Sequence, residues 1–212
     1  DLERSVLFVV AAGNQGMSID NRCVVFPACY HARPNVVTVV ALDNNHPAPA
    51  IWSAGPDRGS NYGKSFHVGV PATGIVSSLP GGRYGRLTGS SQAAPIVTGT
   101  ASLLYMKTAS LSPVQVKNRL IYTSDLFPSL HEHVFGGRLN IGRALDTEHD
   151  VIVKRNQEVV RGRLKKDGLK LDLASFDDEE EVRLLLKNIK RIVRASNDQF
   201  PLTVIASGAR DG

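Results

Sequence analysis

Two unbroken apolar runs, Ser5 to Ala12 and Asn35 to Leu42, constrain this chain more than any other feature. A strand that is apolar at consecutive positions has no face to give to water, so both faces must be covered, as in a parallel sheet flanked by helices. Phe66 to Val70 and Ile75 to Leu79 are two further candidate strands. Pro80-Gly81-Gly82 then predicts a tight turn, with Tyr84 to Thr88 returning alongside. From Ser91 to about Lys107 the residues are apolar or small on nearly every face. That pattern predicts a helix that begins near Ser91, carries Pro95 in its first turn and lies in the interior. Ser112, Pro113 and Gln115 form a capping box that opens a second helix reaching about Thr123, and Gly136-Gly137 marks a turn into a last short helical stretch. Strands and helices in this alternation define an α/β chain.

The character changes near Asp150, so the predicted division is 1–149 and 150–212. The later part is charge-rich, with a hairpin signal at Lys165-Lys166-Asp167-Gly168 and a period-two strand through Leu169, Leu171 and Leu173. Acidic residues Asp177 to Glu181 precede Val182 to Arg194, whose basic end and apolar stripe of Leu185, Ile189, Ile192 and Val193 predict a helix. Pro201 to Ala206 is a candidate closing strand, and the whole reads as a small α+β appendage packed on the first part, with no chemistry of its own. A length of 212 residues accommodates one domain with such an appendage, and a 42% hydrophobic content argues against disorder.

The formal net charge is +5, but acidic and basic residues mix after Lys154 without interleaved aromatics, which predicts a solvated surface and not a nucleic-acid partner. The longest apolar stretch, Val6 to Ala12, falls far short of the roughly 18 residues that span a bilayer. Asp1 is not a methionine and few residues precede the first strand, so a preceding segment is expected. Cys23 and Cys29 are close enough in sequence to close a small loop in an oxidising compartment, or to remain two thiols in a reducing one.

Two segments carry candidate chemistry. Gly89-Ser90-Ser91-Gln92-Ala93-Ala94-Pro95 sets Ser91 in a glycine-containing turn at the start of the long helix, where the positive helix end favours developing negative charge. That suits acyl transfer, although a serine at such a place also serves as a plain helix cap. Asn14 follows the first strand through Gly13, at the strand's C-terminal end where open parallel sheets hold ligands. Its amide can donate to a tetrahedral oxyanion, or it can be an ordinary turn residue.

Together these segments resemble the oxyanion-loop and nucleophile signatures of the subtilisin-like serine proteases, in that family's order. The resemblance continues through Phe26-Pro27-Ala28, Ser60-Asn61-Tyr62-Gly63, Val70-Pro71-Ala72, Ser77 to Gly82, Leu111-Ser112-Pro113 and Gly136-Gly137-Arg138-Leu139-Asn140. It implies part of a doubly wound, mostly parallel sheet of the subtilisin type, with Ser91 as nucleophile and Asn14, helped by the Ser91 backbone N–H, as oxyanion donor. It further implies Ala12 and Gly13 as a wall of the substrate pocket and Val25 near its floor, which favours small or medium side chains. Ser90, Gln92 and Ile96 depart from the threonine, methionine and histidine that the family commonly has there.

The family places its Asp and His before the oxyanion strand, so both are expected in an N-terminal part of the same protease domain, and this chain alone is expected to be inactive. The six histidines, His31, His46, His67, His131, His133 and His149, fall in loop or sheet positions away from Ser91 in the resemblance. His131-Glu132-His133 lacks a third ligand for a metal. The expected function is peptide-bond hydrolysis by an acyl-enzyme, with polypeptide as substrate and no cofactor required. Relatives often bind structural calcium, but no oxygen cluster assigns such a site here. The resemblance implies a secreted or extracytoplasmic location. The alternative is a non-catalytic module that binds polypeptides without cutting them.

Overall fold

A computed structural model describes residues 5–43, 45, 48–147, 150–154, 159–167, 170–175, 181–184 and 189–193. The chain divides into two compact units, Asp1–Leu145 and Asp146–Gly212.

In the first unit, strand β2 (Val36–Asp43) is the centre of a four-stranded sheet. It runs parallel to β1 (Phe8–Ala11), with Phe8 opposite Val36, and parallel to β4 (Val68–Pro71), with Val39 opposite Val68. The short β3 (Ala50–Ile51) adds antiparallel to its far end. The apolar run of β2 is buried throughout because each face meets its own core. Val37, Val39 and Ala41 pack with Ala93, Val97, Ala101 and Leu104 of helix α1 (Ser90–Lys107), whereas Val40 and Leu42 pack with Phe66, Leu130 and Val134. Alternation along one strand thus fills two layers, which is why no polar residue interrupts it except Thr38, whose hydroxyl is within 3.5 Å of the Ala28 carbonyl.

The predicted hairpin is β5 (Ile75–Leu79) with β6 (Arg83–Leu87), joined by Gly81 and Gly82 at φ of 79° and 69°, a conformation that side-chain-bearing residues avoid. Helix α2 (Pro113–Tyr122) has the expected capping box: Gln115 N–H donates to Ser112 Oγ at 3.3 Å, and Ser112 N–H donates to Gln115 Oε1 at 2.7 Å. Gly137, at φ 92°, passes so close to Asp125 that a Cβ would lie 2.1 Å from its carbonyl oxygen. Beyond it the Asp125 carboxylate gathers Arg138, Asn140 and Arg143, anchoring the start of α3 (Ile141–Leu145).

Two expectations for α1 change. Only one stripe of it is buried, and Leu103 and Met106 on other faces are 45% and 81% exposed. Composition reports that a face can be covered, but no described residue covers this one. Pro95 is the sixth helical residue and not in the first turn, so the N–H that would bond the Ser91 carbonyl is missing.

The second unit is a five-stranded sheet in the order β10-β9-β8-β7-β11, made of β7 (Asp150–Lys154), β8 (Val159–Asp167), β9 (Lys170–Ser175), β10 (Glu181–Leu184) and β11 (Ile189–Val193), with every pairing antiparallel. Among the described residues from Asp150 on, this unit is strand. Where a helix is expected over Val182 to Arg194, the described residues, 182–184 and 189–193, belong to strands β10 and β11, and the rest of that span lies outside the described residues. A favourable charge order is worth only about 0.3–1 kcal/mol to a helix, and β-branched Val182, Ile189, Ile192 and Val193 are better used in strand ladders. The strand expected over Pro201 to Ala206, and Leu169 of the other, lie outside the described residues.

In the full-length protein, Ser112→Ala removes one half of the capping box and is expected to cost about 1 kcal/mol in urea denaturation. A loss below a few tenths would mean that the cap does not hold α2.

Candidate active site

The site grows from the end of β1. Ala12 is fully buried and its N–H donates to the Val39 carbonyl at 2.9 Å, which keeps the chain in the sheet for one residue beyond the strand. Gly13 then turns away at φ 94°. A Cβ there would lie 2.5 Å from Asn61 Nδ2 and 3.1 Å from Val25 Cγ1, so only glycine passes between these side chains.

Asn61, itself fully buried, holds the loop that follows. Its Oδ1 accepts from the N–H groups of Gln15 and Met17 at 3.1 and 3.0 Å. Its Nδ2 donates to the Ala12 carbonyl at 2.9 Å and to Gln15 Oε1 at 2.7 Å, and its backbone N–H donates to the Gly13 carbonyl at 2.9 Å. Gln15 Oε1 in turn accepts from the Asn14 N–H at 3.1 Å. Asn14 is therefore fixed at its backbone from below.

Its side chain is fixed from the other side, by the start of α1. Gly89 is the N-cap residue at φ 141°, and a Cβ on it would lie 3.0 Å from Asn14 Nδ2, so the amide rests against bare backbone. Asn14 Oδ1 accepts from both the N–H and the hydroxyl of Ser90, each at 2.9 Å. The same hydroxyl accepts from the Gly13 N–H at 3.0 Å. A backbone N–H can only donate, so the amide oxygen must face Ser90 and the NH₂ faces away. Nδ2 makes no hydrogen bond among the described residues and is left as a free donor.

Ser91 is the next residue. It is exposed, and its hydroxyl makes no hydrogen bond among the described residues. The N-cap is Gly89, which offers no side chain, so Ser91 does not act as the helix cap. The structure thus brings the Ser90-Ser91 turn and Asn14 together across 76 residues of sequence. Val25, half-buried, stands beside Gly13, whereas the Ala12 side chain faces the core with Ile19, Ala28 and Phe66. Cys23 and Cys29 are joined as a disulfide that brackets Val25, and the Cys29 N–H donates to the Val25 carbonyl at 2.9 Å.

Sequence reasoning missed two residues here. Ser90 is the clamp on Asn14, and Asn61 is the post around which residues 12–17 wind; both are small polar residues that composition assigns to turns. The signal available was Ser60-Asn61-Tyr62-Gly63 itself.

Among the described histidines none bonds Ser91. His67 accepts from the Thr38 N–H at 2.9 Å, His131 lies 3.0 Å from Glu132, and the His133 ring is tilted on Tyr62. Glu132 also pairs with Lys64, and among the described residues no group of three His, Cys, Asp or Glu could hold a metal. The converging loop carbonyls of His31 and Arg33 hold the Lys117 ammonium, at 3.3 and 2.9 Å, so this pair does not serve a calcium ion. His46 and His149 lie outside the described residues. No helix of the described residues is long and apolar enough to cross a membrane.

A family model described as the subtilase family matches residues 1–152. Subtilisin BL of Lederbergia lenta is 35% identical over 121 residues, which is 57% of this chain and 39% of that protein. Subtilisin E of Bacillus subtilis is 34% identical over 119 residues, 56% of this chain and 28% of that protein. The chain therefore spans well under half the length of these curated relatives. Among solved structures, the A-subunit of the AB5 toxin from E. coli aligns with a TM-score of 0.60 and 27% identity, over 66% of this chain and 49% of that one.

Asn61→Ala leaves several backbone groups of the loop without partners, each worth about 1–3 kcal/mol when buried. The full-length variant should lose about 3 kcal/mol of stability in chemical denaturation. A loss under 1 kcal/mol would show that the loop holds its shape without Asn61.

Proposed function

We propose that this chain, which belongs to the subtilase family, supplies the nucleophile and the oxyanion donor of a serine endopeptidase that cleaves peptide bonds through an acyl-enzyme. The observation that carries this reading is the Ser90 clamp, which leaves the Asn14 NH₂ unspent at the start of the helix whose next residue, Ser91, has a hydroxyl unbonded among the described residues.

Ser91 Oγ attacks the carbonyl carbon of the scissile bond as its proton passes to an imidazole. The carbonyl oxygen becomes an oxyanion that receives the Asn14 Nδ2–H and the Ser91 backbone N–H. The positive end of α1 favours the same charge. Collapse of the intermediate returns the proton to the departing amine and leaves an ester on Ser91, which water then hydrolyses by the same steps. No cofactor enters. Loss of one such oxyanion donor lowers turnover by about 10²–10³.

Because no described histidine reaches Ser91, the imidazole and its orienting carboxylate come, in this reading, from an N-terminal part of the same protease domain. Two features support that assignment. Among the described residues strand β1 is paired on one side only, through β2, and α1 leaves Leu103 and Met106 exposed. An apolar sheet edge and an uncovered helix face of this kind call for a covering element. The disulfide between Cys23 and Cys29 favours an extracytoplasmic location. Val25, standing where the pocket would be deepest, favours small or medium side chains before the cleaved bond.

A fluorophosphonate probe should label the full-length protein, and Ser91→Ala should abolish the label. Folded protein that is not labelled would instead favour a module that only binds polypeptides. Val25→Gly should raise kcat/KM for peptides with a large aromatic residue before the scissile bond relative to those with alanine. An unchanged ratio would place the pocket elsewhere.

A further inference from the structure

A cavity of about 480 Å³ lies between α2 and the loop before β2, and none of its lining residues belongs to the site around Ser91. Two nearly buried side chains line it. Lys117, on α2, is 9% exposed, and His67, before β4, is 8% exposed. Lys117 Nζ spends two of its three N–H bonds on the carbonyls of Arg33 and His31. The third has no acceptor among the described residues. His67 Nδ1 accepts from the Thr38 N–H, which places the proton of the neutral ring on Nε2, again without an acceptor among the described residues.

The charge here is uncompensated. Among the described residues no Asp or Glu lines the cavity, and Lys64, which does, is already paired with Glu132. Burial, reinforced by Lys117 and His31, pushes His67 down to about 3, so it is a neutral donor at physiological pH. Burial brings Lys117 down to about 8, which leaves it mainly as ammonium at pH 7. Its charge is close enough to act on both histidines. Val114, Ile121 and Tyr122 of α2, which flank Lys117 along the helix, and Phe135 also line the cavity. One buried positive charge matches one negative charge, and the volume far exceeds that of a lone carboxylate group.

We propose that this cavity binds a monocarboxylate with an apolar body, the carboxylate received by Lys117 and His67 and the body lying against Val114, Ile121, Tyr122 and Phe135. This inference does not depend on the role of Ser91. A free organic acid and a polypeptide C-terminus ending in an apolar residue share this chemistry.

Calorimetric titration of the full-length protein with 3-phenylpropionate should give saturable binding at least tenfold tighter than with 3-phenylpropanol, which keeps the body and lacks the charge. Val114→Trp, which puts a large side chain into the cavity, and Lys117→Met should each abolish it. Equal binding of acid and alcohol to the unmodified protein, which requires no variant to fold, would overturn the proposal, as would acid binding that survives Val114→Trp. N-acetyl-Ala-Phe as free acid and as amide separates the two sources. Val114-dependent binding of the acid alone, matching 3-phenylpropionate, supports a polypeptide terminus; no such binding, with 3-phenylpropionate still bound, supports a small organic acid.

Discussion

One buried hydroxyl holds the candidate site together. Ser90 Oγ donates to the side chain of Asn14 and accepts from the backbone of Gly13, so a single atom joins the end of β1 to the first turn of α1. The Ser90 N–H adds a second bond between the same elements, to Asn14 Oδ1. That N–H, which can only donate, decides the orientation of an otherwise symmetric-looking amide, and the hydroxyl bonds the same oxygen. Fully hydrogen-bonded and out of solvent, this contact acts in surroundings where such bonds are electrostatically stronger than in water.

The clamp depends on what lies beneath it. β2 gives Val37, Val39 and Ala41 to α1 and gives Val40 and Leu42 to the opposite layer, so the helix is seated on the same strand that orders β1. Asn61 then holds residues 12–17 in place, and Gly13 and Gly89 allow backbone and side chains to approach more closely than any Cβ permits. The site is preorganised in this sense: each donor aimed outward is held by a partner that is itself buried.

Much of this was legible in the sequence. The apolar run Asn35 to Leu42 reported a strand with two covered faces, and the paired signals at Ser112 and Gln115 reported a helix start, because both depend on neighbours only a few residues away. The run Ser5 to Ala12 reported a strand, but not two covered faces: Phe8 is exposed and Val9 to Ala11 are half-buried. Asn14 and Ser91 were legible as a pair through family resemblance, and their elements do meet. What was not legible depended on distant partners. Ser90 and Asn61 read as turn residues until their partners 76 or 77 and 44 to 49 positions away are known. The amphipathic and charge pattern over Val182 to Arg194 fits a helix in isolation, and antiparallel pairing with β9 and β7 overrides it. The apolar surround of α1 promised burial, but whether Leu103 and Met106 are covered depends on what else is present.

The most direct test of the central claim is a crystal structure of the full-length protein with a peptide boronic acid, whose boron forms a tetrahedral adduct at an attacking serine. The account predicts a covalent bond from Ser91 Oγ to boron, with one boronate oxygen within about 2.7–3.1 Å of both Asn14 Nδ2 and the Ser91 backbone nitrogen. A boronate bound at another residue, or bonded to Ser91 with both oxygens turned away from Asn14, would contradict it.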